Sequence, residues 1–323
     1  MESDTFDRLD LQVLAALETD GRAPFSRIAA VLGVSDQTVA RRYRRLCAEA
    51  GLRVVAMRDG HVLGQDQWML RIRCAPDSAP AIAEALAKRR DTSWIGLASG
   101  GTEVLCATRP RHPADHDDLL LGKLPRTPSV VEIRAHQLLH RFYGGSSGWI
   151  RKFGALTGEQ IAALRTAPEA HPAPPRLEPE DEPLLAVLER DGRASYPELQ
   201  RATGRSESAV KRRLAQLRAS GAVYIDTEYQ TQTVGYPLAA ILWITAAPAA
   251  LHSVGEALAA HEETAWVSAT AGPCNLLVTV LARDAAGLYA YLSGPLGRLE
   301  GVRHVETTPF LRRVKQLTYP APR

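Results

Sequence analysis

Apolar residues near the start of the chain recur at the three- and four-residue spacing of amphipathic helices. Leu11, Leu14 and Leu17 share one face of a segment over residues 7–19. A shorter segment follows with Ile28 on its apolar face. This periodicity predicts two consecutive helices.

A third helix is predicted to begin after a turn at Gly33. Ser35 is a suitable N-cap, and Val39, Tyr43 and Leu46 form the apolar stripe behind it. Three short helices with a glycine turn before the third are typical of a helix-turn-helix.

The pattern changes to short apolar runs in residues 61–143 and again in residues 233–323. In the later segment, strands are predicted over 238–245, 265–271, 276–282 and 302–308, with one helix after the first strand and one after the third. In the earlier segment, the corresponding strands are 69–74, 94–98, 104–108 and 130–136. A βαββαβ order folds as a four-stranded antiparallel sheet with both helices on one face, the ferredoxin-like arrangement. The other face is free to pair with another sheet.

An internal repeat relates the two halves of the chain. The segment LAALETDGRA at 14–23 returns as LAVLERDGRA at 185–194, and the register holds through the Arg-Arg pairs at 41–42 and 212–213. The fold class predicted is α+β, with two winged-type helix-turn-helix domains and two ferredoxin-like βαββαβ effector domains in tandem. The Gly residue of each Asp-Gly-Arg turn, Gly21 and Gly192, is expected to adopt a positive φ at a helix end.

The predicted domain order follows from the repeat. It is helix-turn-helix 1 (1–60), βαββαβ domain 1 (61–143), a linker with a short helix (144–176), helix-turn-helix 2 (177–232) and βαββαβ domain 2 (233–323). The linker contains a Gly- and Ser-rich stretch, a capping-box pattern that begins at Thr157, and a Pro- and Glu-rich stretch from 168 onward.

The third helix of each copy leaves a polar and cationic face outside. Short polar groups at its N-terminal end suit base edges in the major groove, and the guanidinium groups that follow suit phosphates. The predicted DNA-contacting residues are Ser35, Gln37, Thr38, Arg41, Arg42, Arg45, Ser206, Ser208, Lys211, Arg212 and Arg213, with Arg44 on the same face. A solvated Arg-rich face is the alternative, and the recurrence of the pattern in both copies favours DNA binding.

The second helix-turn-helix is expected to be less regular, since Gln200 and Arg205 stand where the first has Ala29 and Val34. It could read a different half-site, bind more weakly or have a mainly structural role.

Composition excludes several other classes of protein. The 323 residues carry a net charge of only +3, and 45% are hydrophobic, so the chain is globular and not a nonspecific polycation. Four separated cysteines show no metal-ligand spacing, and no nucleophile elbow or phosphate loop is present. We expect no cofactor, no metal, no membrane association and no enzymatic activity, and a cytoplasmic, nucleoid-associated location.

One turn in the last domain is a candidate ligand site. Gly272-Pro-Cys-Asn275 joins two predicted core strands, and its backbone amides and Asn275 could hold a small polar molecule. From spacing alone, a simple hairpin turn is an equal alternative.

Two segments of the sequence resemble the leucine-responsive and asparagine-regulator (Lrp/AsnC) family of transcription factors. They are Leu9-Asp-x-x-x-Leu-x-x-Leu-x-x-Asp-Gly-Arg22 and Ser35-x-x-x-Val-x-Arg-Arg-x-x-Arg-Leu46, followed by the βαββαβ pattern. The resemblance covers nearly the whole chain as a tandem fusion of two units. It implies double-stranded DNA as a partner, assembly of tandem chains into dimers or tetramers, and a small-molecule effector, with an amino acid as the first candidate.

The resemblance also implies where the effector binds. The family's ligand turn has the form Gly-x-x-Asp, to which Gly272–Asn275 and Gly100–Glu103 are similar, with Asn and Glu in place of Asp. The predicted effector-binding residues are Thr270, Gly272, Cys274, Asn275, Gly100 and Glu103.

Two other functions stay open. Fused two-unit proteins resembling this family include sirohaem decarboxylases, which need cations to pair with substrate carboxylates. Arg283, Arg298, Arg303 and His304 are available but form no recognisable cluster in the sequence. A DNA-binding architectural protein without an effector is the third possibility.

Overall fold

The computed structural model describes residues 6–110, 115, 117–165 and 176–318. The chain forms two compact units, and each combines one segment from either half of the repeat. The helical unit comprises Met1–Leu63 and Gly145–Gly235, and the barrel unit comprises Gly64–Gly144 and Tyr236–Arg323. Residues 166–175, which include the first part of the Pro- and Glu-rich stretch, lie outside the described residues.

The elements follow the predicted order in both halves. Those of the first half are α1 (Arg8–Thr19), α2 (Phe25–Leu32), α3 (Asp36–Glu49), β1 (Arg53–Arg58), β2 (Trp68–Cys74), α4 (Ala79–Ala87), β3 (Thr92–Ala98), β4 (Glu103–Thr108), β5 (Val130–Tyr143) and α5 (Gly158–Leu164). A π-helical segment over Asp117–Lys123 lies between β4 and β5. Those of the second half are α6 (Glu182–Leu188), α7 (Tyr196–Thr203), α8 (Glu207–Ala219), β6 (Val223–Glu228), β7 (Leu238–Ala246), α9 (Leu251–Ala260), β8 (Thr264–Thr270), β9 (Leu276–Ala282), α10 (Ala285–Ser293) and β10 (Val302–Lys315).

The helix boundaries are set by the predicted local signals. Gly33 ends α2 with a φ of 68°, and Gly204 ends α7 with a φ of 67°. Ser35 caps α3 and Ser206 caps α8, each accepting a backbone N–H from the first turn of its helix. The second helix-turn-helix is therefore as regular as the first at these positions.

The prediction for Gly21 and Gly192 is wrong, because neither has a positive φ. These glycines are needed for space. A Cβ on Gly21 would lie 2.5 Å from Cγ2 of Ile225, and one on Gly192 would lie 3.0 Å from the backbone of Val54 and Val55. Each turn therefore packs closely against strands β1 and β6, which the sequence patterns did not predict.

Strands β1 and β6 form a two-stranded antiparallel ribbon inside the helical unit. The ribbon lies against the core of the second helix-turn-helix, in which Val54 and Ala56 of β1 pack with apolar residues of α6, α7 and α8. The two helical modules consequently share one hydrophobic core region.

The barrel unit contains both βαββαβ modules. Its eight strands close in the order β10-β3-β4-β2-β5-β8-β9-β7, and neighbouring strands pair in antiparallel fashion. Each module keeps the ferredoxin-like strand order, which confirms the predicted fold class. The last strands, β5 and β10, are longer than predicted, and their added residues pair with β8 and β3 of the other module.

The sheet face that each module leaves free of helices lies inside this barrel. Its interior core comprises Met69, Ala98, Leu105, Ala107, Ile241, Trp243, Cys274 and Leu277. Separate cores on the outside hold α4 against the first sheet, and α9 and α10 against the second. Among the described residues, no helix is both long and apolar enough to cross a bilayer.

Candidate nucleic-acid interface and effector turns

The N-terminal end of each third helix is organised by its cap. The Ser35 hydroxyl accepts the Thr38 amide at 3.1 Å and lies 2.9 Å from the Thr38 hydroxyl. In the second copy, the Ser206 hydroxyl accepts the Ala209 amide and lies 3.2 Å from that of Ser208. Of the predicted contact residues, Ser35, Thr38 and Ser206 thus begin the helices, while Gln37 and Ser208 are exposed.

Arg42 and Arg45 contact the first helix. Arg42 Nη1 lies 2.7 Å from Asp7 and 3.0 Å from Asp10, and Arg45 Nη1 lies 3.0 Å from the same Asp10 oxygen. Arg45 also pairs with Glu49. Burial raises the pKa of the fully buried Asp10, and the two guanidinium groups oppose that shift. These two arginines therefore fasten α3 to α1.

The second copy repeats this arrangement with one arginine. Arg213 donates two hydrogen bonds to Asp181, from Nε at 2.8 Å and from Nη2 at 2.6 Å. Burial alone would raise the pKa of Asp181, but the Arg213 guanidinium holds it below its ordinary value. The second residue of each Arg-Arg pair is thus directed to a buried carboxylate within its own domain.

The first residue of each Arg-Arg pair has a different position. Arg41 and Arg212 are exposed, and Arg44, almost one turn further along α3, lies on the same polar face. Lys211 is also exposed, but it pairs with Glu207 at 2.5 Å and lies 4.7 Å from the ring centroid of Tyr196. The outward cationic surface is therefore Arg41 and Arg44 in the first copy and Lys211 and Arg212 in the second.

Asn275 fastens the second candidate effector turn, Gly272–Asn275, to the end of β7. Its Oδ1 accepts the Ala246 amide and its Nδ2 donates to the Ala246 carbonyl, both at 2.8 Å. The Thr270 hydroxyl donates to the Cys274 carbonyl at 3.1 Å. The side chains predicted to bind the effector are thus engaged within the turn, while Gly272 is exposed.

Glu103 has a comparable role in the first turn. It accepts a hydrogen bond from the Ser99 hydroxyl at 2.8 Å and pairs with Arg71 at 2.5 Å. Arg71 also pairs with Glu306 at 2.5 Å, which holds the pKa of Glu306 below its ordinary value. Gly100, at the tip of the turn, is exposed.

A polar cluster around Arg71 and His136 lies beside these turns inside the barrel. The Arg71 guanidinium stands 5.0 Å from the ring centroid of Trp243, and the His136 ring stands 4.9 Å from the same indole. His136 Nδ1 lies 3.6 Å from the Cys274 thiol. Burial lowers the pKa of His136 and raises that of Cys274, so both are neutral near pH 7. One sequence signal could have indicated this cluster, an arginine at an inward position of an apolar strand.

Family comparisons agree with this architecture. The family model for the AsnC-type helix-turn-helix domain matches residues 6–46 and 181–218, which span α1 to α3 and α6 to α8. The model for the Lrp/AsnC ligand binding domain matches residues 239–320, which contain β7 to β10. The chain thus carries an AsnC-type helix-turn-helix domain in each half and an Lrp/AsnC ligand binding domain in the second half. The resemblance to the Lrp/AsnC family predicted from the sequence is confirmed, and the two helix-turn-helix matches fit a tandem arrangement.

Curated relatives have the size of one half of the chain. An uncharacterised HTH-type transcriptional regulator of Pyrococcus abyssi is 29% identical over 151 residues, which are 46% of this chain and 95% of the relative. The HTH-type transcriptional regulator LrpA of Pyrococcus horikoshii is 26% identical over 140 residues, 43% of this chain and 99% of the relative.

A solved structure extends the similarity to the whole chain. The siroheme decarboxylase NirDL has a TM-score of 0.64 and 13% identity, and the match covers 97% of this chain and 94% of NirDL. At this identity, the likeness establishes a common fold and nothing about chemistry.

Proposed function

We propose that this protein is an Lrp/AsnC-type DNA-binding transcriptional regulator whose DNA affinity responds to a small metabolite. The observation that supports DNA binding is the exposure of Arg41 and Arg212 at the same position of the two third helices. Within the described residues, neither guanidinium forms a salt bridge. Such cations are available to phosphates, and the displaced counterions make the affinity fall with salt.

The test is a binding assay with the DNA upstream of the protein's own gene, at several salt concentrations. The double variant Arg41→Glu/Arg44→Glu is expected to abolish specific binding and to reduce the salt slope by about one for each phosphate that is no longer neutralised. The control is Arg298→Glu/Arg303→Glu, which makes the same charge change at exposed positions of the barrel unit, to which neither third helix belongs. Wild-type affinity in the Arg41→Glu/Arg44→Glu variant would contradict the proposal. Arg42 and Arg45 are unsuitable for this test, because their removal would loosen α1.

For the effector, we propose contacts with the exposed tips of the two turns at Gly100 and Gly272. The neighbouring side chains are engaged internally, so a ligand would meet backbone amides and carbonyls. These groups suit the carboxylate and ammonium of an amino acid, with nearby apolar side chains selecting its R group. Measuring DNA affinity and thermal stability across an amino-acid panel tests this proposal. A regulator whose DNA affinity no metabolite changes would instead be an architectural protein.

The proposal also covers the oligomeric state of the chain and its location in the cell. Leu139 and Leu311 occupy equivalent positions of β5 and β10 and are both exposed. Exposed apolar residues at matching sites favour contact with further copies of the chain. We therefore propose dimers or tetramers of tandem chains acting in the cytoplasm on the nucleoid, which sedimentation and imaging would check.

The second candidate is an enzyme similar to sirohaem decarboxylases, favoured by the whole-chain fold likeness to NirDL. Its substrate would need cations for several carboxylates, yet Arg71 is neutralised by Glu103 and Glu306. Arg303 and His304 are exposed at the surface. Incubation with sirohaem, followed by absorption spectra and product analysis, distinguishes the candidates. Formation of decarboxylated product would support the enzyme and contradict the regulator proposal.

A further inference from the structure

The β1–β6 ribbon carries an internal two-fold symmetry. The repeat relates Arg53 to Tyr224 and Met57 to Glu228. In the ribbon, Arg53 pairs with Glu228 and Met57 pairs with Tyr224. Exchanging the two halves therefore leaves the pairing unchanged. The axis passes through the central pair, in which Val55 faces its own counterpart Asp226.

Two arginines obey the same symmetry. Arg22 donates to the carbonyls of Gly192 at 2.6 Å and Ala194 at 2.9 Å. Arg193, its counterpart, donates to those of Gly21 at 2.6 Å and Ala23 at 3.0 Å. We name these four hydrogen bonds the arginine clasp. Together with the ribbon, the clasp makes the two helix-turn-helix domains one body.

This symmetry determines how the two third helices are presented. Two recognition helices related by a two-fold axis match two half-sites related by the local two-fold axis of duplex DNA. Most helix-turn-helix proteins obtain this arrangement from two chains. Here α3 and α8 of one chain supply both helices.

The two recognition surfaces are nevertheless unlike. Gln37, Arg41 and Arg44 of α3 correspond to Ser208, Arg212 and Ala215 of α8, and all six lie on the polar faces of their helices. Glutamine and arginine side chains can bind adenine and guanine edges with two hydrogen bonds, serine makes one shorter contact, and alanine makes none. Of these three positions, only the middle one carries the same residue in both helices. Lys211 of α8 is also exposed where α3 has Ala40, but its ammonium group pairs with Glu207.

We propose that one chain occupies one duplex site composed of two inverted, unlike half-sites, and that α3 contributes more base discrimination than α8. This inference rests on the proposed DNA binding and specifies the form of its target. Arg41 and Arg212 contact the DNA phosphates of the two half-sites in the same way. The residues that differ between α3 and α8 make the base sequences of the two half-sites unlike.

The experiment selects duplexes from a randomised library long enough for two half-sites about 10 base pairs apart, centre to centre. The full chain is expected to enrich an imperfect inverted repeat and to saturate a single-site duplex at one chain per duplex. Arg44→Ala is expected to weaken binding to that duplex about 10-fold and to relax preference in one half-site only.

A gain-of-symmetry variant gives the sharper result. Ser208→Gln/Ala215→Arg makes α8 resemble α3 on its polar face, so folding is retained, and the selected repeat is expected to become more nearly palindromic. An unchanged selected sequence, a direct repeat, a single half-site or two chains per duplex would overturn this inference while leaving DNA binding intact. Failure to enrich any duplex would overturn DNA binding itself.

Discussion

Glu18 and Glu189 occupy the same position in the two copies of the first helical segment, but they meet different partners. Glu189 pairs with Arg58 at 2.8 Å, whereas Glu18 accepts a hydrogen bond at 2.8 Å from Tyr229, the counterpart of Arg58. One copy thus holds an ion pair where the other holds a buried carboxyl group and a phenol.

The barrel unit shows a sharper difference. Arg71 and Trp243 are counterparts in the repeat, and they contact each other, with the guanidinium 5.0 Å from the indole centroid. Equivalent residues in contact must lie near the two-fold axis. A dimer of identical chains would place two guanidinium groups or two indoles there. The fused chain can place a cation against an aromatic ring.

The arginine clasp is the contrasting case, because Arg22 and Arg193 donate the same pair of hydrogen bonds in both directions. Identical residues in the two repeats can therefore form an interface when each residue contacts a non-equivalent residue of the other repeat. Unlike residues become useful near the axis, where a residue would otherwise meet itself. Substitutions at these positions can test this distinction.

The largest expected effect is that of Arg71→Met. This change leaves Glu103 buried without its cation, and breaking such a pair costs about 3–5 kcal/mol of unfolding free energy. Chemical denaturation measures it. The matched control is Arg73→Met, two residues along the same strand, whose solvent-exposed pair with Glu132 is screened by water, so its loss is expected to change stability much less. Equal losses of stability in the two variants would show that buried Glu103 does not depend on the Arg71 guanidinium.

Glu18 is expected to make stability depend on pH. Burial raises its pKa from 4.5 to about 7, against the hydrogen bonds from Tyr229 and from the backbone of Ile150 and Arg151. The folded state therefore holds a proton that the unfolded chain releases at lower pH. The associated stability is full below pH 4.5 and is lost as the pH rises through 7, by roughly 3 kcal/mol.

The measurement is the unfolding free energy of wild type and Glu18→Gln from about pH 5 to about pH 8. The difference between them should change across this range, because glutamine does not titrate. Glu189→Gln is the control, since Glu189 is ion-paired, and it should not remove the slope. A pH-independent difference between wild type and Glu18→Gln would disprove the assigned pKa.

The sequence predicted what depends on local signals and missed what depends on contacts between the halves. Glycine turns, serine caps and strand order follow from spacing within about 20 residues. The β1–β6 pairing and the clasp join residues far apart in the chain, so no periodicity reveals them. For the same reason, helical spacing placed Arg41 and Arg42 together on the polar face. Only the fold shows that Arg42 meets Asp10.

The arginine clasp predicts equal effects in the two halves. Arg22→Ala and Arg193→Ala each remove two hydrogen bonds from a charged donor and should each lower the unfolding free energy by about 1.5–3 kcal/mol. Thermal or urea unfolding would compare them. Arg212→Ala, at an exposed position, should change stability by no more than about 0.5 kcal/mol. If Arg22→Ala and Arg193→Ala lowered the unfolding free energy by very different amounts, the two symmetric halves of the clasp would not contribute equally to stability.

The smallest expected effect is a difference in stability loss between equivalent arginine substitutions in the two helix-turn-helix domains. Arg42→Ala leaves Asp10 in contact with Arg45, whereas Arg213→Ala leaves Asp181 with Arg205 at 4.0 Å as its nearest remaining cation. Arg213→Ala should therefore cost about 1 kcal/mol more unfolding free energy than Arg42→Ala, because its buried carboxylate is left without a bidentate partner. Denaturation of the two variants at neutral pH measures this difference. If Arg42→Ala proved the more costly, Arg45 would not substitute for it, and the first domain would depend on the Arg42 contacts with Asp7 and Asp10 together.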